Sequence, residues 1–308
     1  MPNLHDLGNS LVYTAQMSSI SDEPAWQSDP AIDMEFDPER RVGSKAPFLD
    51  WYIRHSEAAR RELRCELDVP FGDNQAETLD IFPAATRRSP VLVFIHGGYW
   101  RALSSREFSF VARGFADAGV TVVVTNYALC PHVSIAEITR QSRAALIWIH
   151  RFIDSYGGDP ANMFVAGHSA GGQQVAMMLG TDWLQRPEAT SLALRGGIAI
   201  SGLFDLRPLM RSWLQPTLRL TDALVQSQSP LLNIPLEAPP LMLSVGGNES
   251  ASFLQQTQGF RQSWSAAGLA AEYFPQPGLN HFEAIYGLAN SEDPLARAIL
   301  DFMRRHGP

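Results

Sequence analysis

From about residue 61 onward, short apolar runs alternate with longer stretches in which apolar and polar positions recur at helical spacing. Residues 91–95 (Val-Leu-Val-Phe-Ile) and 120–124 (Val-Thr-Val-Val-Val) are continuous β-branched and aromatic runs. Such runs are expected of parallel strands buried on both faces. Residues 163–166, 197–200 and 241–245 predict three more, and residues 272–275 are strand-like. Residues 66–69 and 78–82 instead alternate apolar with polar, the pattern of half-exposed edge strands. Helical spacing falls between the strands, over 106–118, 134–156, 171–179 and 252–267. This alternation predicts an α/β architecture, a mostly parallel sheet of the eight-stranded type with helices on both faces. Residues 205–240 are rich in Pro, Leu, Trp and Arg and keep no period. They predict a small insertion over the carboxyl edge of the sheet.

The first 60 residues differ. They carry Asp22-Glu23-Pro24, Asp29-Pro30 and Asp37-Pro38. X-Pro steps resist helix, so irregular chain is expected over 1–45, followed by a helix over 48–64. Trp26, Phe36, Trp51 and Tyr52 are the residues expected to pin this segment down. The expected organisation is an N-terminal extension, 1–60, on the body and active-site rim, and one domain, 61–308.

Composition narrows the class. The chain has 308 residues, 45% of them hydrophobic and 18% charged, which suits one large domain with a substantial core. A net charge of −8 argues against a nucleic-acid partner, which needs clustered Lys and Arg. Two cysteines, Cys65 and Cys130, are too few for a disulfide framework and fit free thiols in a reducing cytoplasm. No basic-then-apolar leader opens the chain, and no apolar run reaches membrane-spanning length, so a cytoplasmic protein without a membrane partner is expected. A homodimer is expected only because symmetric dimers are common.

The chemistry gathers around Gly167-His168-Ser169-Ala170-Gly171. This G-x-S-x-G follows a strand-like run and opens a helix, the context of a nucleophile elbow. Ser169 is the candidate nucleophile; the bland alternative is an ordinary tight turn. A serine hydroxyl needs a base. His281, in Gly278-Leu279-Asn280-His281-Phe282, follows the strand at 272–275 and is the candidate. His306 lies at the chain's end, on or after a helix. The acid is expected after the strand at 241–245, where Gly246-Gly247-Asn248-Glu249-Ser250 offers Glu249. Asp205 competes, its bland role being a turn or helix cap. His96-Gly97-Gly98-Tyr99-Trp100 follows the strand at 91–95 and suits an oxyanion loop, with backbone donors from Gly97, Gly98, Tyr99 and Ala170. Asn126 and Tyr127 are expected to brace that loop. His5, His55, His132, His150 and His168 show no metal-ligand spacing, and no metal or organic cofactor is required.

These residues resemble the kynurenine formamidases (arylformamidases) of the α/β-hydrolase fold, related to the hormone-sensitive-lipase-like esterases. The resemblance rests on His96-Gly97-Gly98-Tyr99-Trp100, Leu79-Asp80-Ile81-Phe82, Asn126-Tyr127-Ala128-Leu129-Cys130-Pro131, the elbow, 200–206 and Asn280-His281-Phe282, from about residue 34 onward. One position departs: the family usually has Asp where this chain has Glu249. The added methylene shifts the carboxylate by about 1.5 Å unless the loop compensates. The resemblance implies hydrolysis of an N-formyl or N-acyl arylamine, such as a formylkynurenine or an N-acylanthranilate, through an acyl-enzyme. Tyr99, Trp100, Phe204, Trp213 and Phe282 are candidates to bind an aromatic ring, with core packing the alternative for Phe204 and Trp213. Two other readings stand beside this one: a broad carboxylesterase using the same residues, and a hydrolase-fold binding protein that has lost catalysis.

Overall fold

The computed structural model describes residues 26–189 and 191–308. Expectations for residues 1–25 and for His5 lie outside the described residues. The β-branched runs form the middle of an eight-stranded sheet: β1 (Glu66–Pro70), β2 (Thr78–Phe82), β3 (Ser89–Ile95), β4 (Thr121–Thr125), β5 (Gly158–His168), β6 (Leu194–Ile200), β7 (Leu241–Gly246) and β8 (Ala271–Gln276). Their order is β1-β2-β4-β3-β5-β6-β7-β8. All pairs from β4 through β8 are parallel; β1 and β2 pair antiparallel. This is the α/β-hydrolase fold.

The alternation in β2 does not mark an edge. Leu79 and Ile81 are buried, but so is Asp80, at 1% exposure, where it accepts a hydrogen bond from Asp68 N (2.9 Å). A polar residue held inside the sheet by even one such bond mimics, in sequence, one facing water. Only β1 is exposed at that side.

The helices are α1 (Pro30–Phe36), α2 (Pro38–Val42), α3 (Ala46–Glu62), α4 (Ile135–Phe152), α5 (Ala170–Leu179), α6 (Gln215–Leu218), α7 (Asp222–Gln228), α8 (Ala251–Ala266) and α9 (Pro294–His306). One core joins α4, α5 and α8 to one face of the sheet. The other joins α3, α9 and the 105–119 segment to the opposite face. Among the described residues no helix is long and apolar enough to cross a membrane. Cys65 and Cys130 are free thiols.

Two stretches depart from expectation. Residues 30–42 are helical. Each Asp-Pro step starts a helix: Asp29 and Asp37 are N-caps whose carboxylates accept from Ala31 N (3.0 Å) and Glu39 N (3.1 Å), with Pro at the first helical position. Proline there loses no hydrogen bond, because that N–H has no intrahelical partner. Conversely, the helix expected over 106–118 is two 3₁₀ turns, Ser105–Glu107 and Ser109–Gly114. α3 takes the groups an α-helix would pair internally: Arg60 donates to Arg106 O (2.5 Å), and Phe110 N donates to Ser56 Oγ (3.2 Å). Trp26 does not pin the segment; it is half exposed, whereas Phe36 and Tyr52 are buried.

Candidate active site

The site stands at the carboxyl ends of the central strands, where loops are freed from the sheet. Ser169 follows β5 and caps α5 with φ 57° and ψ −117°. That left-handed conformation is costly for a residue with a Cβ and lifts the side chain out of the turn. Gly171 lets the turn close: a Cβ there would run into Ile95 O at the end of β3.

Glu249 and His281 meet from the loops after β7 and β8. His281 Nδ1 donates to Glu249 Oε2 (2.6 Å), and the Glu249 side chain is fully buried. The other oxygen, Oε1, accepts from Ser201 Oγ (2.5 Å) and Gly246 N (2.8 Å). All three groups donate to the Glu249 carboxylate oxygens. The Gly246 bond draws the longer Glu side chain back toward the end of its own strand. Asp205 lies elsewhere: it accepts from Arg207 N (3.0 Å) and pairs with the Arg207 guanidinium (2.7 Å), as a turn former does. His306 ends α9 against Glu272 (3.2 Å).

Ser169 and His281 line one cavity of about 280 Å³, with Gly98, Tyr99, Trp213 and Phe282 among the other lining residues. No hydrogen bond joins Ser169 Oγ to His281 Nε2 among the described residues; such bonds often tighten only with substrate present.

The loop after β3 is held in unusual backbone geometry. Gly98, Tyr99 and Trp100 have φ of 111°, 51° and 56°. Two side chains anchor it: Tyr99 Oη donates to Phe36 O (2.6 Å), and Trp100 Nε1 donates to Gln173 Oε1 (3.2 Å) on α5. The N–H groups of Gly98, Tyr99 and Ala170 find no acceptor among the described residues. Gly97 serves close packing on the elbow, since a Cβ there would stand 3.0 Å from His168 O. Beneath the loop, Tyr127 Oη donates to His96 O (2.9 Å), and the two rings stack at 4.1 Å. Burial pushes the His96 imidazole down to about 4, so its ring is neutral and Nδ1 donates to Gly97 O (2.7 Å).

Of the five aromatic candidates, Tyr99, Trp213 and Phe282 line the cavity; Trp100 and Phe204 do not. Trp100 is fully buried on α5, its indole N–H committed to Gln173. Phe204 is core, stacked on Phe260 at 4.2 Å. The wall that sequence reasoning placed only broadly, as a rim formed by the N-terminal extension, comes from α2, α3 and their flanks: Asp37, Glu39, Lys45, Leu49 and Tyr52. Tyr52 Oη also donates to Phe282 O (2.6 Å), next to His281. His168 was missed as well. It is buried, lines the cavity, and its Nε2 bonds His281 O at 3.0 Å. The two residues are 113 apart, and only the position beside Ser169 hinted at a role.

Known proteins are similar in both sequence and structure. A family model described as the carboxylesterase family matches residues 66–204. The kynurenine formamidase of Danio rerio is 27% identical over 252 residues, 80% of this chain and 84% of that protein. The kynurenine formamidase of Drosophila melanogaster is 24% identical, over 81% of this chain and 87% of its own. A solved structure from Silicibacter sp. tm1040, described provisionally as a thioesterase, is 29% identical with a TM-score of 0.79. It covers 87% of this chain and 98% of that one. Together with the fold, these similarities show a hydrolase with the α/β-hydrolase fold, similar to the kynurenine formamidases and to carboxylesterases.

Proposed function

We propose that this protein is a serine hydrolase that cleaves the N-formyl or N-acyl amide of an arylamine, with Ser169, His281 and Glu249 as its triad. The observation that carries this reading is the convergence of Ser169, the Glu249-paired His281 and the Gly98-Tyr99 loop on one cavity. Ser169 Oγ attacks the acyl carbon as His281 Nε2 takes its proton. The amides of Gly98, Tyr99 and Ala170 hold the oxyanion. Glu249 stabilises the imidazolium, which then protonates the departing aniline nitrogen. Water, activated by the same histidine, releases the acyl group and frees Ser169. The segment 26–60 belongs to the site as its wall.

The cavity supports a small aromatic substrate. Tyr99, Trp213 and Phe282 offer ring surfaces. The charges at its mouth favour an acidic one. Asp37 pairs with Arg40 and Glu39 with Lys45, whereas Arg101 lies 5.1 Å over the Trp213 ring with no carboxylate partner among the described residues. An N-acylanthranilate or formylkynurenine supplies both a ring and a carboxylate. The match to the carboxylesterase family model supports a second reading, a carboxylesterase. Comparing kcat/KM on an N-formyl arylamine with that on p-nitrophenyl acetate decides between them. An ester preference of several orders of magnitude overturns the amidase reading. A series of N-acyl anthranilates of rising chain length then defines the acyl site.

A further inference from the structure

We infer that His168, the residue before the nucleophile, accepts a hydrogen bond from the N–H of the scissile amide and so tunes the site toward amides over esters. The inference rests on the amidase reading above and concerns a group which that reading leaves idle.

The tautomer follows from geometry. His168 Nε2 lies 3.0 Å from His281 O. A carbonyl only accepts, so Nε2 carries the proton and Nδ1 is left with a lone pair. Burial, seconded by the neighbouring His281, holds the His168 imidazole well below its usual range, so a second proton does not cancel that acceptor. His168 is 4% exposed, and Nδ1 has no partner among the described residues.

Its position suits the scissile nitrogen. The ring lines the cavity together with Ser169 and His281. Its Nδ1 edge faces the oxyanion loop at Gly97. A methyl placed on Gly97 would stand 3.2 Å from Nδ1 and 3.3 Å from Ser169 Cβ. The rings of His168 and His281 lie 4.6 Å apart and tilted by 41°. His168 thus borders the space between the attacking oxygen and the base, where a leaving nitrogen must sit.

The chemistry of an amide explains what an acceptor there does. In the planar amide the nitrogen lone pair is conjugated with the carbonyl. As Ser169 Oγ bonds to the acyl carbon, that nitrogen becomes pyramidal. Its lone pair must face His281 to take the proton before the C–N bond breaks, which swings its N–H to the other side. An acceptor on that side stabilises this arrangement more than the planar ground state, and so lowers the barrier. An ester leaving oxygen has no hydrogen to offer and gains nothing. His168 touches the substrate only in amide turnover.

Two substitutions separate this role from that of holding His281. In His168→Gln the side-chain amide can still reach His281 O, but the Nδ1 acceptor is gone. In His168→Asn an acceptor remains near the Nδ1 position, and the bond to His281 O is lost. The readout is the ratio of kcat/KM on a matched N-acyl anilide and aryl ester of the same acyl group. We expect His168→Gln to lower the amide-to-ester ratio about 10- to 100-fold, the scale of one hydrogen bond made in the transition state. His168→Asn should lower both activities together, with the ratio within about threefold. The wild-type enzyme gives a test that needs no variant. An N-methyl anilide, which has no N–H, should fall behind the secondary anilide by about 10-fold or more beyond their relative rates with hydroxide. A ratio unchanged in His168→Gln, or an N-methyl anilide that keeps pace, overturns the proposal alone. A wild type that cleaves the ester and no anilide overturns the amidase reading, and this proposal with it.

Discussion

At the scale of single residues, the acid is the position where this chain departs from the family it resembles. Glu249 lies fully buried with His281 Nδ1, Ser201 Oγ and Gly246 N as donors to its two oxygens. Glu249→Gln presents an N–H to one of those donors and can no longer hold the base in its working tautomer. We expect kcat to fall about 10³- to 10⁴-fold, the cost of the corresponding change in a serine protease triad. Asp205→Ala should leave kcat within about threefold, because that carboxylate is spent on Arg207. Steady-state kinetics on both variants, with circular dichroism to confirm folding, would falsify the assignment if the order were reversed. Arg101 makes a prediction about binding rather than chemistry. Arg101→Gln should raise KM about 5- to 10-fold for a carboxylated N-acyl arylamine and leave that for an uncharged anilide unchanged. The difference should shrink as salt is added, because the site's mouth is open to solvent. Equal effects on the two substrates would remove the carboxylate from the argument.

At the scale of elements, the stretch Pro30–Val42 joins parts that the sheet alone leaves separate. Tyr99 Oη reaches Phe36 O from the loop after β3, and Ser250 Oγ reaches Glu35 O from the loop after β7 (both 2.6 Å). Asp33, 4% exposed, accepts from Trp213 N at 2.7 Å in the insertion between β6 and β7. Asp33→Ala leaves that N–H buried without a partner. We expect a loss of about 1–3 kcal/mol in urea unfolding, and a raised KM for aromatic substrates with kcat little changed, because Trp213 lines the cavity and Ser169 does not depend on it. A loss in kcat at unchanged KM would mean that α1 acts on the chemistry instead. The same segment shows what the sequence could and could not reveal. Strands were legible because a buried parallel strand must be continuously apolar. The loops carrying Ser169 and Glu249 were legible because each follows such a strand; the one carrying His281 follows β8, a half-buried strand of mixed residues. The helices at 30–42 were hidden by reading proline as a breaker, although Asp followed by Pro is also a capped helix start. The 3₁₀ turns at 105–114 were hidden because their backbone partners, Arg60 and Ser56, are about 50 residues away. A still longer separation, 113 residues to His281, concealed His168. Trp100 and Phe204 were misread because an aromatic near a motif gives no hint of which way its ring will point.

At the scale of the whole molecule, stability and activity share one requirement, that histidines buried beside the site stay neutral. His96 is fully buried under the oxyanion loop and is held at about 4, while His168 lies well below its usual range. Desolvation is the main cause for both. In the unfolded chain each returns to about 6.5. Between that value and the folded one, the unfolded state binds more protons, so the folded state loses stability as the pH falls. Each histidine contributes about 1.4 kcal/mol per pH unit within its window. Asp80 has the opposite sign: burial holds its carboxyl above the usual 3.8, so its contribution is full below that pH and fades as the pH rises through its folded value. It offsets the histidines only near the acid end. We therefore expect urea-unfolding free energies to be level from pH 8 to about 7 and to fall steeply from about 6.5 toward 4, by about 3 kcal/mol per unit where both histidines titrate. His96→Gln, neutral at every pH, should remove about half of that slope, whatever it does to stability at pH 8. A slope unchanged in this variant would move the acid sensitivity away from the oxyanion loop. A slope halved in this variant would assign half of the acid sensitivity to the imidazole that underlies the oxyanion loop.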